Sequence, residues 1–224
     1  MTHRFSRVLL AAAALLVCAA TAASAQTTPF GRQMARVDFG ISGAGVFNKQ
    51  VSGPILPSGA ANHNTIMTQY GSNTLGALGT IRYVAKPYVG FEFNYGFARY
   101  TENYSPAPNG SSLFQIQTTH NEYTLGYVVT PPHTIFGVQP FISAGAGSIE
   151  FKPTAGGGEG APKQARAAYY YNVGLQQEIG ASHFGVRASF RQVFFLAPDY
   201  GQNYLTIKQH TISTEPTIGF FVRF

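Results

Sequence analysis

The sequence predicts an all-β chain, folded as an eight-stranded antiparallel up-and-down transmembrane β-barrel. Three observations carry that prediction. The chain opens with an export leader, the remainder holds no apolar run long enough for a membrane helix, and eight segments alternate every second residue between a bulky apolar face and a small or polar one. In lipid the backbone can satisfy its hydrogen bonds only as a helix or as a closed barrel, so an exported membrane chain without helical spans reads as a barrel. Charged residues are 11% of the 224 and apolar residues 45%, which excludes a disordered chain; 25 Gly, 18 Phe and 13 Tyr suit a β architecture.

Residues 1–25 read as a cleaved signal peptide. Arg4 and Arg7 supply the positive start, Val8 to Ala20 the apolar stretch, and Ala23-Ser24-Ala25 the small-residue cleavage site, so the mature chain is expected to begin at Gln26. Cys18 lies in the part removed and lacks the small preceding residue of a lipoprotein signal, which leaves the mature chain without thiol or disulfide. Loss of Arg4 and Arg7 brings the net charge from +6 to +4, spread along the chain with no basic run, so nucleic acid is not an expected partner. Residues 26–34 are expected to form a short periplasmic segment and residues 35–224 the barrel.

The clearest strand sets Val89, Phe91, Phe93, Tyr95 and Phe97 against Gly90, Glu92, Asn94 and Gly96. A five-residue aromatic face of that kind needs a large apolar surface to meet. Before it come Val37, Phe39 and Ile41 opposite Arg36, Asp38 and Ser42, then Leu75, Ala77, Ile81 and Tyr83 opposite Thr74, Thr80 and Arg82. After it, Tyr123, Leu125, Tyr127 and Val129 oppose Glu122, Thr124 and Gly126. Phe141 to Phe151 is Gly/Ala-rich, and only Ile149 and Phe151 against Glu150 set its face. The last three put Tyr169, Tyr171, Val173, Leu175 and Ile179 against Asn172, Gln176 and Glu178; Phe184, Val186, Phe190 and Phe194 against Arg187, Ser189 and Arg191; and Ile212, Ile218, Phe220, Val222 and Phe224 against Thr211, Ser213, Glu215, Thr217 and Arg223.

Connections alternate between long (Asn48 to Gln69, Thr101 to Ser112, Lys152 to Ala167, Leu196 to Lys208) and short (Ala85 to Tyr88, Thr130 to Gly137, Gly180 to His183). Long loops on one side and short turns on the other match the sidedness of bacterial barrels, with both termini in the periplasm. A soluble lipocalin-like barrel would turn its apolar face inward, but here only the charged face is small enough for a narrow lumen, and the chain lacks the Trp typical of that fold's first strand.

The chain ends Thr217-Ile218-Gly219-Phe220-Phe221-Val222-Arg223-Phe224. Thr217, Gly219, Val222 and Phe224 fill the places of the outer-membrane β-signal, which the sequence therefore resembles. With the leader and the alternating strands, nearly the whole mature chain resembles the eight-stranded outer-membrane barrels of the OmpA/OmpX/OmpW type, in the broad family called outer membrane protein β-barrel domain. The resemblance implies outer-membrane location and insertion by the barrel-assembly machinery. No peptidoglycan-binding domain follows the barrel, so cell-wall tethering is not implied, and the absence of Trp leaves Tyr and Phe to make the aromatic girdles.

The inward faces carry Arg36, Arg82, Arg187, Arg191 and Arg223 against Asp38, Glu92, Glu122, Glu150, Glu178 and Glu215. An eight-stranded barrel is just wide enough to be filled by side chains, and buried charges need partners, so a paired plug is favoured over an ion path. Glu92 and Glu122 with Arg187 and Arg191 are the expected cluster. On the loops and rim, Lys49, Arg99, Lys152, Lys163, Arg166 and Lys208 are candidate contacts for lipopolysaccharide phosphates. Val51 to Pro57 is an apolar stretch suited to capping the barrel.

Catalysis is disfavoured. His63, His120, His133, His183 and His210 are never followed by Ser two places on, as in a lipid A deacylase, and they do not fall at metal-ligand spacings. A set of His63, Asp199 and a loop Ser is unspecific, and Ala155 to Gly160 lacks the Lys-Ser/Thr of a phosphate loop. No cofactor, catalytic residue or metal site is expected, and the barrel is expected to be a monomer. The roles left are a structural or surface-interaction barrel, then a narrow solute channel, then a lipid A-modifying enzyme.

Overall fold

The computed structural model describes residues 33–55, 66–86, 88–106, 113–179 and 183–223. The predicted leader and cleavage site, most of the 26–34 segment, His63 and Phe224 lie outside the described residues.

Eight antiparallel strands close into a barrel: β1 (Val37–Asn48), β4 (Thr74–Lys86), β5 (Val89–Ser105), β6 (Phe114–Val129), β7 (Gln139–Pro153), β8 (Gln164–Glu178), β9 (Phe184–Leu196) and β10 (His210–Arg223). Each pairs with its neighbours in the chain, and β1 closes the ring against β10. Two further strands, β2 (Val51–Pro54) and β3 (Ile66–Gly71), form a hairpin in the first long connection.

The two-residue alternation is what the barrel wall requires, because successive side chains point to opposite faces. Along β5, Val89, Phe91, Phe93, Tyr95 and Phe97 are exposed, while Glu92 and Asn94 are buried. The outward rows continue through Tyr123, Leu125 and Tyr127 on β6, Tyr169, Val173 and Leu175 on β8, and Ile218 and Phe220 on β10. Tyr95 against Tyr123 and Phe91 against Tyr127 stack across the strands, with ring centroids 5.2 and 4.9 Å apart.

The structure corrects the expected facing of β7. Ile149 and Phe151 are fully buried and point inward, and Glu150 points outward to an ion pair with Lys163. Elsewhere on the wall an apolar face meets lipid, which is why the alternation predicts the reverse facing here. At the long-loop end the lumen is itself largely apolar, so the pattern has the opposite meaning there.

The second long connection is also shorter than expected. β5 runs on to Ser105 and β6 begins at Phe114, so part of the stretch assigned to a loop is wall. The β2–β3 hairpin keeps the register of the hairpin below it: Val46 faces Thr74 in one and Val51 faces Gln69 in the other, five residues further along on each strand. Against β5 the register does slip. Gly71 faces Glu102 and Gly76 faces Ala98, so five steps on one side span four on the other. This extra residue is a bulge at 72–73, and it turns the odd-numbered Met67 and Gln69 into the barrel although β4 turns its even-numbered residues inward.

Candidate functional site

The lumen is the candidate site, and it is filled in two tiers. Toward the short turns lies a polar tier. Arg82 donates to Glu92 Oε2 from Nη2 at 2.8 Å and from Nε at 3.2 Å, and from Nη1 to Gln176 Oε1 at 3.0 Å. Arg187 donates to both Asp38 oxygens at 3.0 and 3.1 Å, and also to Gln176 Oε1. Arg191 is held between Glu122 and Glu215. All seven charged groups are almost inaccessible to water.

Aromatic faces complete these cations. Arg82 lies 4.4 Å over the Phe141 ring, Arg187 4.6 Å over Phe221, and Arg191 4.6 Å over Tyr170. Tyr170 joins two of the clusters, because its hydroxyl donates to Glu92 Oε1 at 2.9 Å while its ring carries Arg191. That reach depends on Gly126, where a Cβ would sit 2.3 Å from the Tyr170 oxygen.

Of the residues expected in the polar network, Asp38, Arg82, Glu92, Glu122, Arg187, Arg191 and Glu215 are brought together inside. Arg36 and Glu178 are not. Both are exposed at the short-turn rim, where Arg36 precedes β1 and Glu178 ends β8 and pairs with the half-buried Arg223. Alternation gave the right side for both, but a residue at the strand end stands at the mouth. Of the expected cluster, Glu122 and Arg191 pair with each other, whereas Arg187 takes Asp38 and Glu92 takes Arg82. Sequence reasoning missed Gln176 and Asn94 as partners, although both were on inward faces. It also passed over Tyr170, because an aromatic residue between Tyr169 and Tyr171 looks like part of a lipid-facing run.

Toward the long loops the lumen is largely apolar, although Gln69, Glu102 and Thr118 are buried at this end as well. His120, Phe151 and Phe195 form a ring cluster with centroids 5.6 to 6.1 Å apart, and Tyr100 packs edge-on against His120. Met67, Tyr104, Ile116, Ile149 and Val193 fill the space around them. Above sits the β9–β10 connection, whose Tyr200, Leu205 and Ile207 are buried against the same cluster, with Val51 and Ile55 packed beside it. The expected capping stretch therefore lies on this tier as far as Ile55; Pro57 is outside the described residues.

Asp199 holds that cap in place. It accepts from Gln164 Nε2 at 2.6 Å, from the Gly201 N–H and Thr206 hydroxyl at 3.0 Å each, and from Arg166 at 2.8 Å. Burial alone would raise its pKa, but these four donors hold the carboxyl below its ordinary value. Gln164 Oε1 accepts in return from the Asp199 and Tyr200 N–H groups at 2.9 Å. Asp199 is thus a loop staple, and Arg166 is its counter-ion rather than a free rim cation. Among the described residues no three or more His, Cys, Asp or Glu are grouped to hold a metal ion.

The other rim cations lie outside the lumen. Lys49 and Lys208 are exposed at the end of β1 and in the β9–β10 connection. Arg99, Lys152 and Lys163 are exposed on or beside the outer wall; Arg99 donates to Gln117 at 2.6 Å, and Lys163 lies 3.4 Å from Glu150. Arg99 and Lys152 both pair in register with Thr119, so the two stand in one row across β5, β6 and β7.

Comparison with known proteins agrees with this architecture. Neisserial surface protein A superposes with a TM-score of 0.51 at 12% identity, over 84% of this chain and 97% of that one. The outer membrane protein OprG from Pseudomonas aeruginosa superposes with a TM-score of 0.54 at 13% identity, over 84% and 95%. At such identities the likeness is one of fold. No match is found among curated protein sequences. A family model described as outer membrane protein beta-barrel domain matches residues 10–218. The chain, with its closed eight-stranded wall and its outward aromatic rows, therefore belongs to the outer membrane protein beta-barrel domain family.

Proposed function

We propose that this protein is a closed, non-conducting barrel of the outer membrane, with a structural role in the envelope and surface contacts made through its long-loop end. One observation carries the reading: the lumen is obstructed twice, by paired charges at one end and by a capped aromatic cluster at the other. In this reading the leader is cleaved before Gln26, the barrel-assembly machinery recognises the terminal strand, both termini face the periplasm, and the barrel works as a monomer.

The row formed by Arg99 and Lys152, with Lys163 beside it, supports lipopolysaccharide as a surface partner. These cations stand on the outer wall at the long-loop end, where lipid phosphates would meet them, and charge-assisted contacts to phosphate are strong. Lys49 and Lys208 add charge nearer the cap.

Conductance of the refolded protein in planar bilayers tests the proposal. Silence is expected, together with lipopolysaccharide binding that weakens in an Arg99→Ala, Lys152→Ala double variant. Steady wild-type conductance would instead favour a narrow solute channel.

A further inference from the structure

Where the β2–β3 hairpin meets β5, a void of ≈ 10 Å³ lies between Asn48, Gln69, Gly71, Glu102, Pro198 and Thr211. That is about the space of one water-sized sphere. Three of the side chains that line it carry oxygen ligands. Glu102 is 4% exposed, and among the described residues it forms no ion pair. Gln69 is 2% exposed; its Nε2 donates to Glu102 at 3.3 Å, to the Tyr104 hydroxyl at 3.2 Å and to Pro198 O at 2.9 Å, which leaves Oε1 without a protein partner.

Asn48 closes the third side. Neither atom of its amide has a partner, and Nδ2 lies 2.6 Å from the position a Gly71 Cβ would take. Gly71 is the register partner of Glu102, so the amide sits over that pair and can present its oxygen by a half-turn. Lys49 also lines the void, but it is exposed, it makes no ion pair with Glu102, and its backbone is already engaged by Ile212 O and the Thr211 hydroxyl.

A buried carboxylate without a counter-charge is costly, and neutral donors offset only part of that cost. Carboxylate and amide oxygens are hard ligands, suited to Na⁺ or Ca²⁺ and ill-suited to soft transition metals. We propose that this void binds one small hard cation through Glu102, Gln69 Oε1 and the Asn48 amide oxygen. The ion ties the end of β1 to β3 and β5. Through Gln69 and Pro198 it also ties them to the β9–β10 connection, so its binding tightens the cap.

The test uses the full chain refolded in zwitterionic micelles free of lipopolysaccharide. The rate of tryptic cutting at Lys208, exposed in the β9–β10 connection, is compared in sodium, calcium and choline chlorides at matched ionic strength. Cutting should be several-fold slower in Na⁺ or Ca²⁺ than in choline, which is too large for the void. Glu102→Gln should remove the difference. Asn48→Asp adds a second carboxylate and should lower the half-saturating Ca²⁺ concentration by about tenfold, since affinity follows ligand charge. Equal cutting of the wild type in all three salts would overturn the proposal, as would a cation response that survives Glu102→Gln. If Glu102→Gln fails to fold, Asn48→Asp decides alone: an unchanged Ca²⁺ response refutes the site.

Discussion

Arg191 lies between two carboxylates, donating from Nη1 to Glu122 Oε2 at 2.9 Å and to Glu215 Oε2 at 2.7 Å. All three groups are buried, so removing the cation leaves two negative charges facing each other inside the lumen. Arg191→Ala should lower stability toward urea in micelles by roughly 3–5 kcal/mol, the usual consequence of breaking a buried pair. The double variant Arg191→Ala, Glu122→Ala should lose less than the sum of the singles. Arg187 shares no hydrogen-bond partner with Glu122 and reaches it only through Gln176, Arg82, Glu92, Tyr170 and Arg191, so Arg187→Ala and Glu122→Ala should couple less strongly than Arg191→Ala and Glu122→Ala. Strong coupling of that second pair, with none in the first, would contradict the observed network.

Phe93 lies in the outward row of β5 below the rim, and Phe47 lies near the long-loop end of β1. An arginine on the lipid face of a barrel costs ~2–4 kcal/mol at mid-depth and ~0–1 near the interfaces. Refolding into lipid vesicles, read by the shift in electrophoretic mobility without heating, should therefore fail more for Phe93→Arg than for Phe47→Arg. Equal yields would place the bilayer elsewhere on the wall.

The seam that closes the barrel is formed by the C-terminal signature. Thr217 faces Ala44, Gly219 faces Ser42 and Val222 faces Phe39. A Cβ on Gly219 would lie 2.1 Å from Ile41 O, whereas one on Gly43, across the same seam, would lie 4.0 Å from Ile218 O. Gly219→Ala should cut the yield of folded barrel sharply while Gly43→Ala leaves it near wild type, as measured by resistance to protease after refolding.

The Asp199 staple carries a pH dependence of fixed sign. Its carboxyl is held below the ordinary 3.8 by Gln164, the Gly201 N–H, Thr206 and Arg166, against the opposing effect of burial. A depressed folded pKa gives stability that is fully present above the unfolded value and is lost as pH falls through the folded one. The β9–β10 connection should therefore resist protease at pH 5 and above. It should loosen only below about pH 4. Asp199→Asn should loosen it at neutral pH and flatten the profile. Cleavage by thermolysin from pH 5 to pH 7 and by pepsin at lower pH reads the two arms, and a loop that loosens between pH 5 and pH 7 would assign the effect to another group.

The wall was legible in the sequence wherever one strand face is aromatic and the other small, as in Val89 to Phe97, because lipid outside and a narrow lumen inside impose that contrast. Asp38, Glu92 and Arg191 could be placed on the inner face by counting alone. Their partners could not, since strand tilt and side-chain length decide whether Glu122 meets Arg187 or Arg191. Ile149 and Phe151 were assigned to the wrong face because an apolar cluster under the cap looks like lipid to a residue-by-residue reading. Gln69 was missed for a different reason. The one-residue bulge at 72–73 changes which parity points inward, and no local composition marks the change.

Gln176 Oε1 receives both Arg82 and Arg187, and Tyr170 connects Glu92 to Arg191, so the polar tier is one continuous lattice rather than separate pairs. A gap the size of an ion cannot form by moving a single member, because each is held from at least two directions. Passage would require the lattice to let go together. In a long electrical recording such a protein would not hiss with the graded leakage that independent, loosely held pairs would give: its trace would stay flat.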